Sequence, residues 1–81
     1  PATPIPVLLV KALDRLCNVV DFYESNDYAY AKKYLAKADI LFNAIYNRYS
    51  AIQQYYGVAV AKNLVVEYNM VEKMVSIDPH F

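Results

Sequence analysis

The sequence predicts an all-α protein, an antiparallel helical hairpin or three-helix arrangement organised around one long central helix. The main observation is an apolar row whose members recur at alternating steps of three and four without a missed step, which is the spacing of one helix face. The row consists of Tyr28, Ala31, Leu35, Ala38, Phe42, Ile45, Tyr49, Ile52 and Tyr56. The second observation is that no proline or glycine interrupts it before Gly57. The central helix is therefore expected to span about residues 27–56.

Three prolines among the first six residues predict an extended arm over residues 1–6, because proline fixes φ and removes a backbone donor. Such an arm either frays at the terminus or lies along a neighbouring subunit, since a stiff segment loses less entropy on docking. Residues 7–77 are expected to form a single helical domain. Residues 78–81 form a tail, because Pro79 stops the last helix.

The first helix is predicted over Val7–Glu24, with one apolar row opposite a polar face. That row consists of Leu9, Leu13, Leu16, Val20 and Tyr23. Cys17, the chain's one cysteine, stands among apolar neighbours and is expected to be a small buried hydrophobe. The short turn Ser25–Asp27 offers capping side chains for the next helix and makes the two helices neighbours.

The central helix carries a second face of small residues. Its members are Ala29, Ala36, Asn43 and Ser50 at intervals of seven, with Ala44 and Ala51 beside them. An ordinary solvated face carries Glu and Lys instead, and small residues allow another helix to approach closely. We therefore expect this helix to pack on two sides, once within its subunit and once against a neighbour.

The segment from Val58 to Ile77 has two interpretations. Ala61, Leu64, Tyr68, Val71 and Val75 follow helical spacing, and length favours a helix. The β-branched density around Lys62-Asn63 is compatible instead with a tight β-hairpin over residues 58–68.

The composition indicates self-association. Hydrophobic residues make up 58% of an 81-residue chain that has nine tyrosines, and eight basic residues balance eight acidic ones. A chain this small has mostly surface, and zero net charge leaves little repulsion between copies. Neutrality also argues against a free nucleic-acid binder, and no apolar run reaches the roughly 20 residues of a membrane span.

The sequence predicts no enzyme, no cofactor, no metal site and no small-molecule substrate. The one histidine, His80, stands two positions from the end, where residues are poorly held. One Cys and one His cannot build a tetrahedral zinc site of N and S ligands. An amino-terminal proline acts as a base in the tautomerase superfamily, but there it begins a β-strand, and Pro4 and Pro6 interrupt any strand here.

Two further groups are candidate contact residues. Lys32, Lys33, Lys37 and Arg48 form a basic set along the central helix that can meet phosphates, or remain ordinary solvated charges, with Lys11 and Arg15 as a second pair on the first helix. The other group is the tyrosines outside the main row, which are expected at subunit contacts because one end is apolar and the other polar. These are Tyr30, Tyr34, Tyr46 and Tyr55.

Two classes of function fit these features. One is a structural protein that polymerises, and the other is a small helical-hairpin dimeric adaptor or regulator, cytoplasmic in location, that binds a partner protein. The two-sided central helix favours the polymer. The chain resembles the short, hydrophobic, all-helical major coat proteins of rod-shaped archaeal viruses, the clavaviruses in particular, in its length, its 1–6 arm, its helical hairpin and its excess of Tyr, Val and Ala. That resemblance implies a capsid protein of a virion, a helical homo-polymer enclosing double-stranded DNA.

Overall fold

The computed structural model describes residues 3–76, and it folds them into four α-helices without a strand. They are α1 (Ile5–Glu24), α2 (Tyr28–Asn47), α3 (Tyr49–Tyr56) and α4 (Val58–Ser76). The all-α prediction is confirmed. The helical interpretation of the segment after Gly57 is also confirmed, and the β-hairpin alternative is wrong.

Helix α1 begins two residues earlier than the sequence predicts. Pro4 is its N-cap, Pro6 occupies its first turn, and the Leu8 N–H donates to the Pro4 carbonyl at 3.0 Å. A proline in the first turn costs no hydrogen bond, because the first backbone N–H groups of a helix have no intrahelical partner. Residues 5 and 6 therefore belong to the helix and not to an extended arm. The rest of the arm prediction at Pro1 and Ala2, and the predicted tail with Ile77, lie outside the described residues.

The turn between α1 and α2 is a Schellman motif closed by asparagine. Asn26 has φ 64°, and the Asp27 N–H donates to the Phe22 carbonyl at 2.8 Å while the Asn26 N–H donates to that of Tyr23 at 3.1 Å. This pair of bonds satisfies the last carbonyls of α1. Asp27 then caps α2, its carboxylate accepting from the Tyr30 N–H at 3.5 Å.

The predicted single central helix is interrupted at Arg48. Its backbone leaves the helical region (φ −118°, ψ 20°), and its N–H donates to the Ile45 carbonyl in a tighter turn. The Arg48 guanidinium donates to the Thr3 carbonyl, next to the start of α1. Helix α2 packs chiefly against α1, whereas α3 packs chiefly against α4. The interruption therefore lets one apolar row serve two different neighbours.

The core confirms two of the three predicted apolar rows in their main members. The buried residues of the central row are Ala31, Leu35, Ala38, Phe42, Ile45 and Ile52, and those of α4 are Ala61, Leu64, Tyr68, Val71 and Val75. Tyr28 and Tyr49 are half-buried and Tyr56 is exposed.

The row predicted for the first helix is partly wrong. Helix α1 buries Leu8, Leu9, Ala12, Leu16 and Val19. Leu13, expected in the core, is 42% exposed. Cys17, expected to be buried, is exposed as well. The reason is that α1 carries two apolar rows, and the core takes the one containing Leu8 and Ala12.

Candidate functional site

The second apolar row of α1 faces outward. It consists of Val10, Leu13, Cys17 and Val20, at steps of three, four and three, and we call it the outer row of α1. Val10 is 67% exposed, and Val20 is half-buried. Such spacing is that of a helix-packing seam, so α1 presents a face suited to a further helix.

Leu13, Cys17 and Val20 of this outer row form one wall of a groove between α1 and α4. One part of the groove, about 320 Å³, is lined by Leu13, Leu16, Cys17, Val20, Asp21, Glu67 and Val71. A smaller part of about 200 Å³ shares Leu13 and Glu67 and adds Val60, Asn63 and Leu64. We call the two together the α1–α4 groove. It is apolar along its floor, and it carries a carboxylate on each helix.

The opposite side of α4 carries an exposed ridge. Val66 and Met70 lie one turn apart and are 42% and 61% exposed, while Lys62 and Lys73 flank them and are also exposed. With Val58 these residues form what we call the outer ridge of α4. The helical period places Val66 opposite Leu64 and Tyr68, which are in the core. Val66 and Met70 are thus solvent-facing in a single copy.

The predicted small-residue face is only partly free. Ala29, Ala36, Asn43 and Ser50 are exposed, whereas Ala44 and Ala51 are half-buried. Ala44 packs against the hydrophobic core of its own chain. Four of the six predicted interface positions on this face are therefore open to a neighbouring helix in a single copy.

Three of the four predicted contact tyrosines are exposed. Tyr55 is the most open at 75%, and Tyr30 and Tyr46 are also exposed. Tyr34 is half-buried and stacks on Phe22, with ring centroids 5.1 Å apart and an interplanar angle of 6°. Tyr34 therefore contributes first to the contact between α1 and α2.

The basic residues that lie together in the structure differ from the basic set predicted from the sequence. The Lys37 ammonium lies 4.7 Å from the centroid of the Tyr34 ring, and the Arg15 guanidinium lies 5.6 Å from it. The Lys33 ammonium lies 5.5 Å from the Tyr30 centroid. Because Tyr34 brings Arg15 of α1 beside Lys37 of α2, two residues that the sequence assigned to separate basic groups share one surface. We call Arg15, Lys33 and Lys37 the basic surface.

The other two members of the predicted basic set, Lys32 and Arg48, do not belong to the basic surface. Lys32 is exposed on α2. Arg48 is half-buried and donates to the Thr3 carbonyl, so its guanidinium already has a partner at the start of α1. A shallow groove of about 500 Å³ extends the basic surface, and it is lined by Lys11, Asp14, Arg15, Lys37, Ile40 and Leu41.

One polar contact at the edge of the core was not foreseen from the sequence. The Tyr68 hydroxyl donates to the Asp39 carboxylate, and the Tyr68 ring stacks on Phe42 at 4.3 Å. Burial of the ring raises the pKa of Tyr68 well above its usual value, and the nearby carboxylates of Asp39 and Glu72 raise it further. Tyr68 is thus held as a neutral donor that ties α4 to α2. Burial, with the nearby Glu72 carboxylate, also raises the pKa of Tyr46.

Residues 3–76 contain no cluster of His, Cys, Asp or Glu able to hold a metal ion. None of the helices in that part of the chain combines the length and the hydrophobicity that crossing a bilayer requires. The candidate functional surface consists of the exposed apolar and basic residues, grouped above as the α1–α4 groove, the outer ridge of α4, the small-residue face and the basic surface.

The chain matches no family model, no curated protein and no solved structure.

Proposed function

We propose that this protein is a self-assembling structural subunit, the major coat protein of a helical, rod-shaped virion that encloses double-stranded DNA. The observation that carries the proposal is the placement of exposed apolar side chains on every helix. They include Val10 on α1, Ile40 on α2, Tyr55 on α3 and Met70 on α4. A monomer rarely leaves apolar surface open on so many sides.

The distribution of these residues favours a polymer over a closed dimer. A dimer needs one self-complementary surface, whereas a filament needs different surfaces that meet on successive copies. The α1–α4 groove and the outer ridge of α4 lie on different sides of the molecule, and the small-residue face lies on α2 and α3. Burying them between copies stabilises an assembly at roughly 25 cal/mol per Å² of apolar surface.

The basic surface supports the nucleic-acid part of the proposal. Arg15 of α1 and Lys33 and Lys37 of α2 lie beside two tyrosine rings of α2, where an arginine or lysine can still reach a phosphate. The chain's zero net charge fits a shell that contacts DNA through a few residues per subunit. We propose a virion and not another kind of polymer because the chain resembles clavavirus coat proteins in length and composition.

The test is the size and content of the particles formed by the purified full chain. Light scattering and negative-stain microscopy should show filaments or rods, and particles formed with double-stranded DNA should protect it from nuclease. A monodisperse dimer at all concentrations would refute the structural proposal and leave the helical adaptor. Filaments that form but never protect DNA would refute only the virion.

A further inference from the structure

We propose that the α1–α4 groove of one copy receives the outer ridge of α4 from a second copy, so that successive copies join head to tail. This inference deepens the proposed function and rests on it, since it names the two surfaces through which the subunit polymerises.

The groove and the ridge match in shape and in apolar character. The groove has an apolar floor, with Leu13 and Cys17 on α1 and Val71 on α4. The ridge is an apolar line made by Val66 and Met70 on the solvent side of α4. Helices pack by laying the ridge of one into the groove of another, and these two surfaces offer one of each.

The groove and the ridge carry opposite charges. The groove carries Asp21 on its α1 wall and Glu67 on its α4 wall. The ridge carries Lys62 and Lys73, which stand about 16 Å apart along the helix axis at roughly 1.5 Å per residue. All four of these side chains are exposed in a single copy. Docking brings opposite charges together, whereas packing ridge on ridge would bring Lys62 and Lys73 toward other lysines, and packing groove on groove would bring carboxylates together.

The two surfaces can be occupied at the same time. The ridge lies on the solvent side of α4, whereas the groove lies between α1 and α4, so one copy can use both at once. A contact between two different surfaces does not close on itself unless the rotation between copies closes a ring. The pairing therefore produces an extended series of subunits.

The decisive experiment exchanges the charges. Groove-reversed protein carries Asp21→Lys and Glu67→Lys, and ridge-reversed protein carries Lys62→Glu and Lys73→Glu. Each variant alone places like charges across the contact, so the concentration needed for assembly should rise at least about tenfold. An equimolar mixture restores opposite charges at every contact and should assemble near the wild-type concentration. The matched control is Lys33→Glu with Lys37→Glu, which gives the same net charge as ridge-reversed protein and should assemble like wild type without DNA.

A second measurement identifies the partners directly. Met70→Cys places a thiol on the ridge, where the native Cys17 of the next copy's groove can reach it. Mild oxidation should give a ladder of disulfide-linked oligomers, while Asn47→Cys, exposed on α2, should not. Circular dichroism of every variant should retain the wild-type helix content.

The outcomes separate the two proposals. A wild-type protein that never assembles overturns the proposed function and this inference together. If the wild type assembles and neither charge-reversed variant needs a higher concentration to do so, the inference alone is overturned. A mixture or an oxidised Met70→Cys variant that stops at dimers also overturns it, since that result indicates a closed contact.

Discussion

The hydroxyl of Tyr68 on α4 donates a hydrogen bond to the carboxylate of Asp39 on α2, 29 positions away. It is one of the contacts that tie the last helix to the α1–α2 pair, and the stacking of the Tyr68 ring on Phe42 lies directly beside it.

Replacing Tyr68 by Phe should keep the stacked ring and remove only the hydrogen bond. A bond to a charged partner contributes about 1.5–3 kcal/mol, and Asp39 is half-exposed, so a loss of about 1–2 kcal/mol in the free energy of unfolding is expected. Urea unfolding of the dissociated subunit measures it. Tyr46→Phe, at an exposed tyrosine of the same neighbourhood, is the matched control and should cost less than about 0.5 kcal/mol. Equal losses in the two variants would contradict the assigned role.

The raised pKa of Tyr68 gives a definite alkaline dependence of stability. The unfolded tyrosine loses its proton near pH 10, whereas the folded one keeps it, so the unfolded state binds fewer protons above that pH. The free energy of unfolding therefore falls as pH rises above about 10, by up to about 1.4 kcal/mol per pH unit from this group. The contribution is fully present below pH 10. Unfolding curves between pH 8 and 11.5 should show a smaller decline for Tyr68→Phe, and parallel declines would refute the prediction.

Gly57→Ala should destabilise the protein through backbone conformation alone. Gly57 has φ 94° and ψ 152°, a region that residues with a side chain avoid at a cost of about 1–3 kcal/mol. A Cβ there would meet nothing within 4 Å, so crowding contributes nothing. A chemically synthesised chain with D-alanine at this position is the control, and it should match the wild type in thermal unfolding. If both alanines lower the midpoint equally, the explanation from φ is wrong.

We expect Lys33 and Lys37 of the basic surface to contribute to DNA binding, and Arg48 to contribute nothing. Alanine at Lys33 and Lys37 should lower the slope of log affinity against log salt by about 0.9 for each lost phosphate contact. Arg48→Ala should leave that slope unchanged, because the guanidinium is already bonded to the Thr3 carbonyl. Filter binding to duplex DNA between about 50 and 200 mM salt, where such affinities change steeply, measures this slope. A lower slope for Arg48→Ala as well as for the two lysines would restore the original basic set, and an unchanged slope for the two lysines would refute the basic surface.

Ala36→Trp should block assembly without unfolding the subunit. Ala36 is exposed on the small-residue face, so a bulky ring there disturbs only a close approach by another copy. Light scattering should report the loss of large particles, and circular dichroism should report unchanged helix content. Lys11→Trp, exposed on α1 and therefore outside the small-residue face, controls for the added hydrophobicity. Particles of normal size from Ala36→Trp would show that this face is not a contact.

The sequence predicts the helical elements well where one apolar row dominates, as from Ala31 to Ile52 and from Ala61 to Val75. It fails at α1, because two rows share helical spacing and only the packed neighbour decides that Leu8 and not Leu13 is buried. It also fails at Arg48, where neither proline nor glycine marks the interruption and the relevant partner, Thr3, is distant in the chain. The contact of Arg15 and Lys37 with one ring follows from the pairing of α1 with α2, which spacing within either helix does not contain.

The interruption at Arg48 divides the chain into units that need not open together. The first pair, α1 with α2, shares the most extensive contact, and the second pair, α3 with α4, shares a smaller one. Local opening free energies follow the density of such contacts. We expect amide hydrogen exchange to be slower in α1 and α2 than in α3 and the start of α4. The protein then has a more persistent pair of helices and a more readily exchanging one, linked through Arg48 and through the Tyr68–Asp39 hydrogen bond.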